Sequence, residues 1–311
     1  MTTALFSHPA SLAHEMPDGH PERIERIKAI NAALAAGEFN ALDRHEAPIC
    51  RDDDILLAHP RSYLDLIKGS APDQGFRQLD PDTHMSKGTL EAAMRAVGGN
   101  VAAVDLVMTG GASNAFVAMR PPGHHAEKST AMGFCLFGNV AIAAKHALEH
   151  HGLKRVAIVD FDVHHGNGTQ DLVWDDRRIF FASSHQMPLY PGTGAPSETG
   201  AHGNILNLPL DEGTDGPEFR ELIQETLLPA LAWHRPELIL ISAGFDAHRD
   251  DPLAGLNLIE DDFAWITEQV CDIADTSASG RVVSSLEGGY DLNAVAASTA
   301  RHVRVLMERG Q

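Results

Sequence analysis

Two aspartates and two histidines follow an apolar segment near the middle of the chain. Residues 156–159 read as a buried strand, and Asp160, Asp162, His164 and His165 come directly after them. In an open α/β sheet, ligands bind outside the carboxyl ends of the strands, so polar groups at this place favour chemistry. Asp162 and His164 are two positions apart, which predicts that their side chains leave the same face. A carboxylate and an imidazole pointing together make half of a metal site.

Four other apolar segments also end in polar clusters. The clusters are His124 and His125 after residues 115–119, Ser183, Ser184 and His185 after 179–182, Asp246 and His248 after 238–241, and Glu287, Tyr290 and Asp291 after 282–286. The prolines before His124 forbid a helix there and hold both histidines in an extended, rigid turn.

Helical patterns separate these segments, as in a protein in which strands and helices alternate. They cover Pro21 to Ala36, Lys87 to Met108, Asn139 to His150, Pro217 to Trp233, Glu260 to Thr276 and Leu292 to Arg309. This alternation predicts an α/β fold with a parallel sheet that helices cover on both faces. No linker or repeat divides the sequence, so we expect a single domain over residues 1–311.

Each polar cluster also has a purely structural explanation. Asp162 and His164 could cap the start of a helix, Asp246 could occupy a turn, and Tyr290 could be a packed aromatic. The 18 histidines make chance clusters more frequent. These explanations would require independent coincidence at five strand ends of one sheet, each supplying a complementary chemical group, so we favour a functional site.

Three of these residues could hold one divalent cation. Asp162, His164 and Asp246 supply three ligands and leave a fourth position open, which is typical of catalytic rather than structural zinc. Two oxygens and one nitrogen also suit Fe²⁺, Co²⁺ or Mn²⁺, so residue types alone leave the metal open.

The remaining groups fit hydrolysis of an amide or ester. His124 and His125 can act as acid and base, because a neutral imidazole can take a proton from water at the metal. The Tyr290 phenol is protonated at neutral pH and can donate a hydrogen bond to the oxyanion that forms opposite the metal. Together these residue types predict metal-assisted hydrolysis.

Composition limits the partners and the compartment. The formal charge of −19 argues against direct binding to nucleic acid and is compatible with a cationic substrate. The three cysteines, Cys50, Cys135 and Cys271, show no CxxC spacing, which favours a reducing compartment. The first residues lack the features of a signal peptide and no apolar run is long enough to span a membrane, so we expect a cytoplasmic protein.

Five motifs give the chain a specific family resemblance. They are RPPGHHA at 120–126, DFDVHHGNGTQ at 160–170, YPGTG at 190–194, AGFDAHRDDPLAG at 243–255 and LEGGYD at 286–291. In this order they resemble the histone deacetylase and acetylpolyamine amidohydrolase superfamily, closer to its class II and bacterial members. HPER at 20–23 and Asp82-Thr83 also resemble family landmarks. The resemblance implies the arginase–deacetylase fold, a parallel sheet of about eight strands flanked by helices.

The resemblance also implies a role for each matched residue. Asp162, His164 and Asp246 match the zinc ligands, His125 the general base and later acid, His124 its electrostatic partner, and Tyr290 the transition-state donor. Gly133, Phe134 and Tyr190 match the walls of an acyl-lysine tunnel. Asp160 and Ser183, with backbone oxygens of Asp162, His164 and Ser184, match a structural potassium site.

One departure from class I members concerns the partner of His125. Asn167 stands where those members carry an aspartate, as is usual in class II. A neutral partner should leave His125 less basic than a carboxylate would.

The substrate and two other functions stay open at this stage. A two-metal ureohydrolase would need additional bridging carboxylates, and a non-catalytic acyl-ligand sensor would be favoured by a lost base or donor, whereas both are present. Acetyl-lysine in proteins, acetylpolyamines and other small acetylated amines share one reacting group. We expect residues 69–88, with Asp82, to form part of the rim. Their brevity favours acetyl-lysine and argues against a long dimer-forming insertion, although an oligomer remains possible.

Overall fold

The computed structural model describes residues 2–310, and an eight-stranded parallel sheet lies at the centre of these residues. The strands of the sheet and of a separate two-stranded hairpin are β1 (Thr3–Ser7), β2 (Asp43–Glu46), β3 (Arg77–Asp80), β4 (Thr83–Met85), β5 (Asn114–Val117), β6 (Val156–Asp160), β7 (Ile179–Gln186), β8 (Ile205–Leu210), β9 (Leu238–Ala243) and β10 (Val282–Leu286). The order across the sheet is β2-β1-β5-β10-β9-β6-β7-β8, and β3 pairs with β4 in the antiparallel hairpin.

Helices connect the strands and cover both faces of the sheet. They are α1 (Ile24–Leu34), α2 (Asp52–Ile55), α3 (Arg61–Ser70), α4 (Thr89–Met108), α5 (Asn139–His150), α6 (Asn167–Val173), α7 (Gly216–Leu222), α8 (Leu228–His234), α9 (Glu260–Ser277) and α10 (Leu292–Arg309). Apolar residues of α3, α4 and α5 pack in the core of one face, and those of α1, α9 and α10 pack in the core of the other. This arrangement confirms the predicted fold class.

The central strands are apolar because they have no face toward water. Every residue of β6 and β9 is buried, and both strands consist mainly of valine, isoleucine, leucine and alanine. Such continuous apolar runs are typical of parallel strands covered on both faces.

Strand order explains how the polar clusters meet. The five strands that the sequence links to polar clusters are β5, β10, β9, β6 and β7, and they are consecutive neighbours in the sheet. All of their pairings are parallel, so their carboxyl ends lie at the same edge. The loops that follow them therefore form one contiguous surface.

The structure differs from the sequence prediction in several element boundaries. Strand β7 continues four residues beyond Ala182, because Ser183 to Gln186 pair with residues 207–210 of β8. The helix predicted from Pro21 begins at Ile24. The helix predicted over Pro217 to Trp233 is present as α7 and α8 with a π-helical turn, Ile223–Leu227, between them.

Within residues 2–310, no helix combines the length and the hydropathy that a membrane crossing requires.

Candidate active site

Three ligand-type side chains meet at the carboxyl edge of the sheet. Asp162 and His164 lie in the loop after β6, and Asp246 lies in the loop after β9. The Nδ1 atom of His164 is 3.2 Å from an oxygen of Asp162 and 3.1 Å from an oxygen of Asp246. All three residues are buried. One nitrogen and two oxygens therefore face the same point.

Backbone amides and two glycines hold the carboxylates in place. Asp162 accepts a hydrogen bond from the amide of Gly288 at 2.8 Å, and Asp246 accepts one from the amide of Val163 at 2.8 Å. A Cβ atom on Gly244 would lie 1.9 Å from Asp162, and one on Gly288 would lie 2.2 Å from Asp246. Glycine is required at both positions because the carboxylates approach the backbone so closely.

The charges of this cluster fit a divalent cation. Burial lowers the pKa of His164, but hydrogen bonds and charge interactions with Asp162 and Asp246 outweigh it and raise that pKa to about 10. Two buried carboxylates thus favour positive charge at the point that all three side chains face. Two oxygens, one nitrogen and access from a cavity match an open zinc-type site.

His125 has a defined tautomer because of its partner. Its Nδ1 atom is 2.7 Å from the Oδ1 atom of Asn167, and the Nδ2 atom of Asn167 donates to a carboxylate oxygen of Glu127 at 2.8 Å. Since the amide nitrogen faces a carboxylate, the amide oxygen must accept a hydrogen bond from His125. The Nε2 atom of neutral His125 is then free to accept a proton.

The two adjacent histidines differ in charge. Burial, together with the nearby rings of His124 and His164, holds the pKa of His125 well below its usual value. His124 is equally buried, but Asp162 and Asp160 outweigh that effect and raise its pKa well above the usual value. The Nδ1 atom of His124 lies 3.0 Å from Asp160. The nearby carboxylates therefore favour the protonated form of His124, whereas burial favours the neutral form of His125.

Asp160 and Ser183 are neighbours across the β6–β7 pairing. Asp160 also accepts a hydrogen bond from the amide of Asp162 at 3.1 Å. The Ser183 hydroxyl lies 2.9 Å from Nδ1 of His185, and both residues are buried. These residues thus lie beneath the ligand cluster, at the level of the strands.

Tyr290 reaches the same place from the loop after β10. Burial, reinforced by Asp246 and Asp162, raises the pKa of its phenol well above the usual value despite the opposing effect of Arg26. The Arg26 guanidinium lies 4.9 Å from the centre of the tyrosine ring, which favours a cation–π contact. The phenol therefore stays protonated and can donate a hydrogen bond.

A cavity of about 240 Å³ brings these groups together. Its walls include Phe134 and Tyr190, its inner end includes His125, His164 and Tyr290, and the remaining lining residues are Asp82, Gly133, Leu189 and Leu253. Gly133 has φ +55°, and a Cβ atom there would lie 2.4 Å from the ring of His125. Phe134 and Tyr290 meet edge to face with ring centres 5.9 Å apart. The cavity has mainly apolar walls and gives access to polar groups.

Other histidines at the same strand ends have different contacts. His165 lies 2.8 Å from the hydroxyl of Thr193, and His185 lies 3.0 Å from the carbonyl oxygen of Gly194. Neither residue lines the cavity described above. These two histidines hold the loop that carries Tyr190 against the strand ends.

A buried ionic network behind the cavity was not assigned from the sequence. Arg26 donates to carbonyl oxygens of Glu287 at 2.6 Å and Gly289 at 2.5 Å, and Glu22 forms ion pairs with Arg26 and Arg120. This network fixes the turn that carries Tyr290. The HPER segment, which resembles a family landmark, was the available signal for Glu22.

Glu287 is a second buried group that the sequence did not assign. Its carboxylate accepts hydrogen bonds from the amides of Gly123 at 2.6 Å and His124 at 3.2 Å. Burial raises its pKa to about 7 against the opposing effect of His124. It joins the loop after β10 to the turn that carries both histidines.

The structure is an α/β fold in which the loops at the carboxyl edge of the parallel sheet line a cavity with polar groups. Residues 20–306 match the family model of the histone deacetylase domain, so the chain belongs to the histone deacetylase family. Family membership makes it an amidohydrolase of the deacetylase type.

Individual relatives agree with this assignment. The chain is 39% identical to a histone deacetylase-like amidohydrolase of Pseudomonas aeruginosa, over 88% of this chain and 73% of the relative. It is 36% identical to a probable deacetylase of Archaeoglobus fulgidus, over 94% and 82%. The crystal structure of the HDA15 HD domain superimposes with a TM-score of 0.94 at 32% identity, covering 99% of this chain and 89% of that one.

Proposed function

We propose that this protein is a zinc-dependent deacetylase that hydrolyses the acetyl amide of acetylated amines, with acetyl-lysine side chains as its main substrates. The observation that carries the proposal is the shared cavity. His164 of the ligand cluster, the free nitrogen of His125 and the protonated phenol of Tyr290 all line it. Narrow apolar walls suit an aminoalkyl chain, and the polar inner end suits an amide.

Asp162, His164 and Asp246 would hold the zinc ion. When bound, zinc supplies Lewis-acid chemistry, since it polarises an amide carbonyl and lowers the pKa of water. Asp160 and Ser183, together with backbone oxygens of Asp162, His164 and Ser184, would hold a structural potassium ion. The zinc site rests on the family resemblance and on the three donor atoms that face one point, whereas the potassium site rests on the family resemblance.

His125 carries out the proton transfers of the proposed reaction, and Tyr290 and His124 stabilise the negative charge that develops. His125 accepts a proton from water at Nε2 as the water oxygen bonds to the carbonyl carbon, and it then delivers that proton to the departing amine nitrogen. Tyr290 donates a hydrogen bond to the oxyanion, while cationic His124 favours the same negative charge. The carbon–nitrogen bond breaks, and acetate and a free amine leave.

Replacing Asn167 by aspartate tests the proposed base. In the Asn167→Asp variant, combined with Glu127→Gln so that the new carboxylate faces an amide, a carboxylate next to His125 favours the protonated imidazole, so the pKa of His125 rises by about one to three units. A base is active when deprotonated, so the acidic limb of the kcat/KM profile should move to higher pH by the same amount. Steady-state rates between acidic and neutral pH measure the shift. A limb that stays in place would mean that His125 is not the titrating base.

The substrate class depends on the rim of the cavity, where Asp82 lies. Its neighbours in the β3–β4 hairpin include Asp80, and the Asp82 carboxylate accepts a hydrogen bond from the Thr83 hydroxyl at 3.1 Å. Burial and the nearby Asp80 raise the pKa of Asp82 to about 6. Above that pH it carries a charge that can accept backbone N–H bonds of a peptide or can attract a polyamine ammonium.

The brevity of residues 69–88, which include this hairpin, favours a lysine side chain on a protein. The Asp82→Asn variant should lower kcat/KM for acetyl-lysine peptides by an amount equivalent to about 1.5–3 kcal/mol, one hydrogen bond to a charged group. The loss should shrink as the pH falls through about 6, because native Asp82 then becomes neutral. Asp73→Asn, an exposed change in the same segment, is the matched control.

Steady-state rates with acetyl-lysine peptides, acetylputrescine and acetylspermidine separate the substrate classes. The proposal expects the peptides to be the better substrates. If acetylspermidine is better by more than about tenfold, which is 1.4 kcal/mol, the rim serves polyamines.

A further inference from the structure

A second group of metal-type ligands lies between two helices. Asp105 belongs to the last turn of α4, His146 belongs to α5, and His151 directly follows α5. The Nε2 atoms of His146 and His151 each lie 2.7 Å from the same oxygen of Asp105. The ligand atoms of all three residues lie within 4.8 Å of one another.

This cluster is separate from the active site. Helix α4 ends at Met108 before β5 begins at Asn114, and α5 ends at His150 before β6 begins at Val156. The carboxyl ends of both helices therefore lie at the amino edge of the sheet, whereas the active site lies at the carboxyl edge. The proposed deacetylation does not use these residues.

The electrostatic environment favours a cation at this place. Two helices direct their carboxyl ends, which carry partial negative charge, toward the cluster. Asp105 adds a formal negative charge, and the whole chain carries −19.

We propose that Asp105, His146 and His151 bind a second divalent transition-metal ion, of which Zn²⁺ is the reference case, and that this ion fastens the end of α4 to the end of α5. Two imidazoles favour Zn²⁺, Co²⁺ or Ni²⁺ over Mg²⁺ and Ca²⁺, which prefer oxygen ligands. The Asp105 side chain is half exposed and His151 is partly exposed, so water can complete the coordination.

The alternative is a hydrogen-bonded His–Asp–His cluster that needs no metal. In that arrangement, one oxygen of Asp105 accepts hydrogen bonds from the Nε2–H groups of both histidines. Asp105 thus provides a partner for only one ring nitrogen of each histidine. Metal retention distinguishes the two explanations, because a hydrogen-bonded cluster holds no zinc after dialysis. His150 provides a matched control. Its ring stacks on that of His146 with centres 4.4 Å apart, but it does not belong to the ligand group.

The experiment is equilibrium dialysis of the full chain against buffered micromolar Zn²⁺, followed by metal and protein analysis. We expect two zinc equivalents in the wild-type and His150→Ala proteins and one in His151→Ala. Asp105→Asn, a change at a half-exposed carboxylate, should also retain one. A single equivalent in the wild-type protein, or two in both His151→Ala and Asp105→Asn, would overturn the proposal.

A second pair of variants separates this site from the active site. We expect Asp246→Ala to retain one equivalent and the double variant Asp246→Ala/His151→Ala to retain none. If Asp246→Ala does not lower the zinc content, the active-site assignment has failed. If His151→Ala does not lower it, the assignment of the second site has failed. If Asp246→Ala retains no zinc while it remains folded by circular dichroism, the second site does not exist.

Discussion

The Asp246→Ala variant is expected to lose one equivalent of zinc and all measurable deacetylation. Asp246 supplies one of the two carboxylates that face His164, and its removal leaves two ligands where a catalytic zinc site needs three. Metal content after dialysis and acetate release from an acetyl-lysine peptide measure the two losses.

Two controls make this prediction specific. Asp250→Ala removes an exposed carboxylate of the same loop and should retain both metal and activity. Removing Asp246 deprives the Val163 amide of its acceptor, which costs about 1–3 kcal/mol of stability. Circular dichroism should therefore be used to show that Asp246→Ala is still folded. Unchanged zinc content in the folded variant would remove Asp246 from the ligand set.

The Tyr290→Phe variant is expected to lower kcat by about 10²- to 10³-fold, the usual effect of removing one oxyanion donor. Burial keeps the phenol protonated, and Arg26 and the Asp251 carboxylate hold its ring and backbone in place. The change removes one oxygen and leaves these contacts, so zinc content and folding should persist. Steady-state kinetics with an acetyl-lysine peptide measures the loss.

Tyr190→Phe is the matched control because Tyr190 lines the same cavity and loses the same atom. It should retain kcat within a small factor, since its role is to pack against the substrate chain. If Tyr290→Phe turned over at the wild-type rate, or if both variants lost activity equally, Tyr290 would not be the oxyanion donor.

The fold class could be predicted because its signals are local. Apolar runs such as residues 156–159 alternate with helical patterns, and each signal requires only neighbouring residues to be read. The placement of the five polar clusters after apolar runs predicts that they lie at strand ends of one sheet, but not that the five strands are adjacent. Parallel pairing then brings their ends to one edge.

Other features depend on contacts between distant residues. Ser183 to Gln186 look like a loop because they are polar, yet pairing with β8 makes them part of a buried strand. The β3–β4 hairpin has only four and three residues in its strands, and β3 has no buried residue, so it carries little hydrophobic pattern.

Local sequence patterns also do not reveal the buried ionic network of Arg26 and Glu22 behind the cavity. Arg26 lies on α1 and contacts the Glu287 and Gly289 carbonyl oxygens, more than 250 positions away in the sequence. Spacing rules cannot reveal such a pairing. In the helix that the sequence predicts from Pro21, a charged pair such as Glu22 and Arg26 would indicate a solvated face. In the structure Glu22 precedes α1, and both side chains are buried.

The most direct test is a measurement of acetate and free amine released from an acetyl-lysine peptide by the purified protein in three states: zinc-loaded, stripped with a chelator, and reloaded. The account predicts equal amounts of acetate and lysine product with zinc, none after stripping, and recovery on reloading. Product formation at the same rate in the stripped, metal-free protein would contradict the zinc site. Absence of product from acetyl-lysine peptides, acetylputrescine and acetylspermidine in the zinc-loaded state would contradict the proposed deacetylation.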